Sequence, residues 1–431
     1  MLKNLLMQKK LHNFFYILKH NNENLRYFGI MGFATLFSII KLIIYSKLLT
    51  VNDFGEYSLF LLVSTYVILI QTLGLDTGIL KNYPKFFIKK KYNYLQQQIE
   101  KVITFSILLG LILSIIYISF FYFSSFPSTH IFLCLTLYTS TNVIFNILIT
   151  FIRTQNNLIL FSLCLMYKNF FSIIGGTIGY VFNNLSSSIL AESIVCLIII
   201  IAISIKTRAF NIKLNNFYSN FFKKTILDGI PFTINYTTRT IVSNIDRWFV
   251  AGILGISLLG EYSFSMIVFS VAVGIQNIIG TSFGTKIIEK YYKSFNLNTM
   301  LIATRELQAK VLFISIPILI LGTLITPTFL NFFFSQYSKT YPIILITSFS
   351  SLIHLLNFYE PIFIVSGNGR KQILITIIIT SATILGLLLS YIYSKNLLSV
   401  AIVFLANRIL SFFITKSFAY NIVLCSDTSR K

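Results

Sequence analysis

The residues best suited to chemistry are polar side chains set inside long apolar stretches of the chain. The densest group is spaced at intervals of four, four and three residues and consists of Asn235, Arg239, Ser243 and Asp246. This spacing predicts that the four side chains lie on one face of a helix, and Arg247 follows directly. An ionised side chain costs about 2.5–3.5 kcal/mol at the centre of a membrane helix. The face is therefore expected to meet a partner or a water-filled cavity.

Further ionisable residues lie in other apolar stretches. Three basic ones join the first group as candidate substrate-pathway residues: Lys41, Lys168 and Arg408. The candidates for ion coupling are acidic: Asp246, Glu360 and Asp76. Glu360 precedes Pro361, where a helix break would suit a proton or ion site, with a structural role as the alternative. Asp76 lies near a span end and is more simply a cap or a partner of loop lysines. Glu192 is expected to snorkel to water.

Basic groups outnumber acidic ones deep in these stretches. A positive cavity suits an anion, and guanidinium groups suit phosphate oxygens in particular. The balance points to a phosphorylated or acidic-sugar substrate. No nucleophile is paired with a general base, so no catalytic residue is assigned. The four histidines and four cysteines show no ligand spacing, and we expect no metal site and no cofactor.

The composition predicts an all-α integral membrane protein. The 431 residues are 55% hydrophobic and only 11% charged, with a mean hydropathy of +0.78. The apolar runs are about 20 residues long, enough to cross roughly 30 Å of hydrocarbon as a helix. They do not alternate as the strands of a membrane barrel would. About twelve spans are predicted, near residues 27–48, 57–78, 102–124, 129–152, 158–181, 187–205, 229–253, 262–284, 311–334, 341–365, 372–393 and 397–420.

The net charge of +22 is distributed unevenly between the two sides of these spans. Lysines and arginines crowd the N-terminal segment and the loops after spans two, six and eight, while the opposite side has only Lys47, Lys339 and Lys395. This asymmetry places both termini in the cytoplasm. The basic loops are expected to meet anionic membrane lipids, and nucleic acid is excluded as a partner.

An internal repeat divides the chain into two halves. The tetrad Gly55-Glu56-Tyr57-Ser58 recurs 205 residues later at residues 260–263, and Gln71 matches Gln276 in the same register. We expect both glycines in external hairpins that need positive φ, and both tyrosines at the membrane boundary. The register also matches Lys41 with Asp246, which are expected to line a cavity or to form an ion pair.

The repeat predicts two pseudo-symmetric six-helix lobes in parallel orientation. The predicted segments are an N-terminal cytoplasmic or interfacial stretch (1–25), a first lobe (26–205), a basic cytoplasmic linker (206–228), a second lobe (229–424) and a cytoplasmic tail (425–431).

Three segments resemble the Wzx-type flippases of polysaccharide and O-antigen repeat units. They are residues 48–57 at the end of the first span, residues 71–78 with their Leu-Gly-Leu stretch, and Asp246-Arg247-Trp248-Phe249-Val250 leading to the second tetrad. This family belongs to the multidrug, oligosaccharidyl-lipid and polysaccharide exporter (MOP) superfamily, which also contains the MATE transporters. The motifs are loose, although the twelve-span layout covers the whole chain.

The resemblance implies a specific activity. Such proteins move undecaprenyl-diphosphate-linked oligosaccharides across the bacterial inner membrane for O-antigen or capsule biosynthesis. They alternate access between two six-helix lobes, with a proton or sodium gradient as the proposed drive. It also implies a polysaccharide polymerase and chain-length proteins as partners.

Two other classes of protein stay open. A MATE-type small-molecule or drug antiporter on the same fold would be expected to show a carboxylate-rich cavity, whereas this chain is basic. A membrane polysaccharide polymerase or ligase would be an enzyme with a large external loop, whereas every predicted external loop is short.

Overall fold

The computed structural model describes residues 26–76, 78–79, 92–123, 129–155, 157–182, 184–207, 220–294, 296–366 and 369–428. The first half contains six long helices: α1 (Arg26–Leu48), α2 (Val51–Thr72), α3 (Tyr92–Phe123), α4 (Thr129–Thr154), α5 (Leu158–Phe182) and α6 (Leu185–Thr207). The second half contains α7 (Asn220–Phe249), α8 (Ile256–Ser294), α9 (Leu297–Phe333), α10 (Tyr341–Leu355), α11 (Glu360–Val365), α12 (Gly369–Tyr393) and α13 (Leu397–Thr428).

Two short segments join helices in the second half. A π-helical turn, Val250–Leu254, ends α7, and Gly255 then adopts a φ of +107° that favours glycine. A 3₁₀ helix, Ser335–Thr340, connects α9 to α10.

The protein is a multi-pass membrane protein. Within the described residues, nine helices are long and apolar enough to cross a membrane. Helix α9 shows why lipid must surround them, since Phe313, Leu324 and Phe332 are each at least 70% exposed. So much apolar surface on a 37-residue helix would be untenable in water.

Two predicted spans differ from this simple pattern. Helix α7 is the most polar of the long helices because it carries the face of polar residues around Asp246. The span predicted at residues 341–365 is interrupted, since α10 ends at Leu355 and α11 begins at Glu360. The interruption directly precedes Glu360 and Pro361, where the sequence indicated a possible helix break.

The backbone carbonyls freed by this break are bound by two glutamines. Gln276 Nε2 donates to the carbonyl oxygens of His354 and Asn357 at 3.1 and 3.0 Å, and Gln308 Nε2 donates to that of Leu356 at 2.7 Å. Inside a membrane these carbonyls have no water to replace the lost helical donors. The two side chains therefore stabilise the interruption.

The chain forms two compact units. One consists of Met1–Lys41 and Val63–Tyr236, the other of Leu42–Leu62 and Thr237–Lys431. The core of the first unit is formed by α4 residues such as Phe145 and Leu148 against α3 and α6. The second unit has a core around Tyr262 and Phe404 and another around Met300 and Tyr359. The segment bounds drawn from the sequence stay a prediction.

The repeated tetrads lie inside helices, so their predicted place in hairpins with positive φ is wrong. Gly55 belongs to α2 and Gly260 to α8. A Cβ on Gly55 would collide with the carbonyl oxygen of Ile256, and one on Gly260 with that of Val51. The glycines are needed because two helix backbones touch there.

The tyrosines of the tetrads are also placed differently from the prediction. Tyr57 and Tyr262 are 1% and 0% exposed, so neither is an anchor at the membrane boundary. Tyr57 packs edge-on against Tyr45, with ring centroids 4.8 Å apart. Tyr262 belongs to the polar cluster described below.

Candidate functional site

The first unit holds a buried ion pair between α1 and α6. Lys41 Nζ lies 2.9 Å from Glu192 Oε2, and the side chains are 15% and 3% exposed. Glu192 was expected to snorkel to water, and that expectation is wrong. At mid-span a buried carboxylate needs a cation, and Lys41 supplies it from the neighbouring helix.

Lys168 lies in the same unit, on α5. Its Nζ donates to Asn142 Oδ1 at 2.5 Å and sits 4.4 Å from the centroid of the Phe145 ring. An amide oxygen and an aromatic face both stabilise an ammonium group without neutralising it. Of the two candidate lysines in the first unit, Lys41 forms a salt bridge with a carboxylate, and Lys168 forms none among the described residues.

Asp246 is the buried carboxylate of the second unit. Its side chain is 3% exposed, and Tyr262 donates its hydroxyl to Oδ2 at 2.5 Å. The tyrosine comes from the repeated tetrad on α8, so the tetrad contributes directly to the polar cluster. Pairing between Asp246 and Lys41 stays a prediction, and each residue has a partner within its own unit.

Arg408 on α13 lies against two aromatic rings that contact each other edge to face. The guanidinium carbon lies 4.7 Å from the Phe269 centroid and 4.6 Å from the Phe404 centroid. Among the described residues it forms no hydrogen bond and no salt bridge, and its Nε is buried without a partner. Asp246 is near enough to interact with it electrostatically. Stacking of this kind orients a planar guanidinium while leaving its hydrogen-bond donors available.

A polar cavity of about 350 Å³ opens beside Arg408, within the second unit. It lies where the span formed by α10 and α11 is interrupted. Its polar lining comes from six helices and the break itself: Ser243, Gln276, His354, Asn357, Glu360, Gln372, Thr376, Asn407, Arg408, Ser411 and Thr415. Apolar side chains complete the wall: Val242, Phe363, Ile375 and Ile379.

The structure brings some predicted site residues together here and leaves others elsewhere. Ser243, Glu360 and Arg408 line this cavity, with Asp246 close by. Arg247 is not in its lining, although its Nε is also buried without a partner in the described part of the chain. Lys41 and Lys168 belong to the first unit, as does Asp76, which follows α2. Asn235 and Arg239 lie on α7, but their side chains are outside the described part.

Apart from Ser243, the uncharged polar residues of the cavity were not predicted, because the prediction rested mainly on ionisable residues inside apolar stretches. The sequence nevertheless contains a pattern that indicates these residues. Asn407, Ser411 and Thr415 are spaced four apart on α13, and Gln372 and Thr376 repeat that spacing on α12. Polar side chains at this spacing form a stripe on one helix face, and such a stripe inside an apolar span indicates a wet surface.

A metal centre finds no support in the side chains of the described residues. They contain no group of three or more histidine, cysteine or acidic residues that could hold an ion.

No family model matches the chain, and no curated protein matches its sequence. Solved structures resemble it over nearly its whole length at 14% sequence identity. The lipid II flippase MurJ in an inward closed conformation matches with a TM-score of 0.67, covering 92% of this chain and 90% of its own. An inward-facing multidrug resistance MATE transporter matches with a TM-score of 0.65, covering 93% and 98%.

A third neighbour is a MOP superfamily transporter of Pyrococcus furiosus with a binding pocket of reversed polarity. Its TM-score is 0.58, and the match covers 93% of this chain and 94% of the transporter. All three neighbours are transporters of one superfamily. The chain therefore has the fold of MOP superfamily transporters.

Proposed function

We propose that the protein is a flippase for undecaprenyl-diphosphate-linked oligosaccharide repeat units. It would move them across the bacterial inner membrane for O-antigen or capsule biosynthesis, by alternating access. One observation gives this proposal its strongest support. Arg408 is a guanidinium without a salt bridge among the described residues, and it lines a polar cavity inside a transporter fold.

The physical task of such a protein explains the need for this cavity. The barrier to flipping is the transfer of a diphosphate and several sugars through hydrocarbon, where unsatisfied polar groups are costly. A polar path supplies substitute hydrogen bonds while the prenyl tail stays in lipid. No covalent bond is made or broken, so the work falls to hydrogen-bonding groups and fixed charges.

The proposal also includes a drive and partners. A proton or sodium gradient would power the cycle, with Asp246, Glu360 and Asp76 as candidates for coupling. Lys41, Lys168, Asn235, Arg239, Ser243, Arg247 and Arg408 stay the candidate pathway residues. A polysaccharide polymerase and chain-length proteins would act on the exported units, and anionic lipids would contact the basic loops.

A MATE-type antiporter for small molecules is the second candidate. The similarity to a multidrug resistance transporter supports it nearly as well as the similarity to MurJ. Arg408 and Lys168 form no salt bridge among the described residues, which favours an anionic substrate and argues against export of organic cations. A membrane polymerase is the weakest candidate, since the structural neighbours are transporters.

Replacing Arg408 tests the flippase proposal. In a strain lacking this protein, Arg408→Gln should restore roughly tenfold less surface polysaccharide than wild type, because a hydrogen bond to a charged group contributes about 1.5–3 kcal/mol. Lipid-linked oligosaccharide should accumulate in the cytoplasmic leaflet. Surface glycan on immunoblots and leaflet-specific labelling of the lipid-linked pool give the measurement.

Arg305→Gln is the matched control for this substitution. Arg305 also stacks on an aromatic ring, 4.9 Å from the Tyr420 centroid, but lies outside the cavity. Full surface glycan from Arg408→Gln at equal membrane abundance would contradict the pathway role. Loss of drug resistance with normal glycan would instead support the antiporter.

A further inference from the structure

Two residues that line the cavity of the second unit each carry a buried polar atom without a partner in the described part of the chain. Arg408 Nε and the Oδ1 atom of the preceding residue, Asn407, are both buried and have no partner among the described residues. Asn407 is 91% buried, at a relative exposure of 9%, and both residues line the cavity. Unpaired buried polar groups are unfavourable, so a ligand that pairs with both is favoured. Such a ligand must present an acceptor to Arg408 and a donor, such as a hydroxyl group, to Asn407.

The charges of the lining disfavour a ligand with several negative charges. The described lining contains one arginine, Arg408, and one carboxylate, Glu360, and Asp246 is near enough to Arg408 to interact with it electrostatically. A diphosphate carries several negative charges and would meet one guanidinium and an acidic neighbour. A carboxylate carries one charge, and its two oxygens match the fork of a guanidinium that stacking has already oriented.

The rest of the lining suits a sugar ring. Side-chain amides and hydroxyls that can bind sugar hydroxyls line one part of the cavity: Gln276, Asn357, Gln372, Thr376, Ser411 and Thr415. Phe363 and Ile375 supply an apolar surface for the C–H face of a pyranose. The volume of about 350 Å³ lies near the lower end of the range of roughly 300–1,000 Å³ for ligand pockets. One sugar ring fits these features better than a whole oligosaccharide.

We propose that this cavity is a subsite for a single acidic sugar, with Arg408 bound to the sugar carboxylate and Asn407 bound to a neighbouring hydroxyl. The inference rests on the proposed function and deepens it, because it names a uronate-type residue within the repeat unit. The interruption between α10 and α11 opens the space, and Gln276 and Gln308 hold the freed carbonyls there.

The test compares matched sugars on the full-length protein in lipid nanodiscs. Methyl β-glucuronide, methyl β-glucoside and inorganic phosphate are titrated, with saturation-transfer NMR as the measurement. The glucuronide should bind at least tenfold more tightly than the glucoside, which differs only in its carboxylate. Equal affinity for the two sugars, or no binding of either, would overturn the inference. Tighter binding of phosphate than of glucuronide would overturn it too.

Substitutions test whether Arg408 and Asn407 bind the glucuronide as proposed. Arg408→Gln should reduce glucuronide affinity to that of the glucoside, and Arg408→Lys should retain part of the preference because the charge remains. Asn407→Leu should weaken the binding of both sugars, and Arg305→Gln should change the affinity for neither. A preference that survives Arg408→Gln would exclude the carboxylate contact. The comparison of glucuronide with glucoside binding uses the wild-type protein, so the inference stays testable even where a substitution prevents folding.

Flipping in cells separates this inference from the proposed function. If wild-type protein binds the glucuronide but fails to restore surface glycan, the flippase proposal fails while the subsite stands. If surface glycan is restored but the two sugars bind alike, the function stands and the subsite fails.

Discussion

The predicted repeat register matches Lys41 with Asp246, and these two residues of opposite charge are buried with different partners. Lys41 meets the carboxylate of Glu192 on α6, whereas Asp246 accepts a hydrogen bond from the hydroxyl of Tyr262 on α8. An embedded charge is visible in sequence because it interrupts an apolar run. Its partner is not visible, since partners such as Lys41 and Glu192 lie 151 residues apart and meet only through helix packing.

Exchanging the charges of Lys41 and Glu192 tests whether they act as a pair. Lys41→Glu alone would place two carboxylates together, and Glu192→Lys alone two ammonium groups. Breaking a buried pair typically costs about 3–5 kcal/mol, so each single variant should lose thermal stability in detergent. The double exchange should recover most of that loss. Stability and membrane abundance by fluorescence-detected chromatography give the measurement.

The outcome of the exchange separates two roles. Recovery of stability without recovery of surface glycan would mean that the sign of each charge matters to transport as well as to folding. No recovery in the double variant would contradict direct pairing and leave Lys41 and Glu192 with independent partners.

At the level of helices, length and hydrophobicity were predictable, and the interruption was predictable only in part. The apolar runs predicted helices close to the observed α4, α5 and α6 because membrane helices must be both long and apolar. Pro361 indicated a possible break near Glu360, but not that residues 356–359 leave the helix. What holds it open is a pair of glutamines on α8 and α9, and no local pattern shows that relation.

The repeated glycines show the same limit. Their recurrence predicts equivalent positions in two repeats, but the reason for a glycine there depends on what lies opposite. Gly55 faces the backbone at Ile256, and Gly260 faces that at Val51, so the two copies of the tetrad meet where α2 and α8 touch. A hairpin and a helix contact both favour glycine, and sequence alone does not distinguish them.

Alanine substitutions test this helix contact. Gly55→Ala and Gly260→Ala should each destabilise the protein by about 1–3 kcal/mol, because an added Cβ must push two backbones apart. Gly280→Ala is the control on the same helix as Gly260, since nothing lies within 4 Å of a Cβ there. It should be neutral or slightly stabilising, because alanine favours helix over glycine. Thermal unfolding in detergent measures all three, and equal stability of Gly260→Ala and Gly280→Ala would contradict the contact.

For the whole molecule, the fold is shown by structural similarity at a sequence identity too low for any family model to match. Hydrophobic periodicity and an internal repeat predicted the class of protein, because bilayer thickness and backbone hydrogen bonding constrain every membrane helix. They could not separate a flippase from a multidrug resistance transporter. Both occur among the neighbours with this fold, so the fold alone does not give the substrate.

The orientation of the chain in the membrane is predicted by its loop charges. Positive loops stay in the cytoplasm, so the loop between α12 and α13 should be external and the loop between α4 and α5 cytoplasmic. Ser394 and Asn157 are exposed residues of these two loops. Ser394→Cys should react with a membrane-impermeant maleimide in intact cells. Asn157→Cys should react only after the membrane is permeabilised.

Native cysteines define the background for this labelling. Cys134, Cys164 and Cys196 are buried, so they should remain unlabelled in the folded protein. Cys425 lies in the predicted cytoplasmic tail and is replaced by alanine, so that every signal comes from an introduced thiol. Labelling of both loops in intact cells would indicate a mixed population of orientations. A reversed pattern would place the basic loops outside, and the cytoplasmic entry assigned to an anionic lipid-linked substrate would then have to be abandoned.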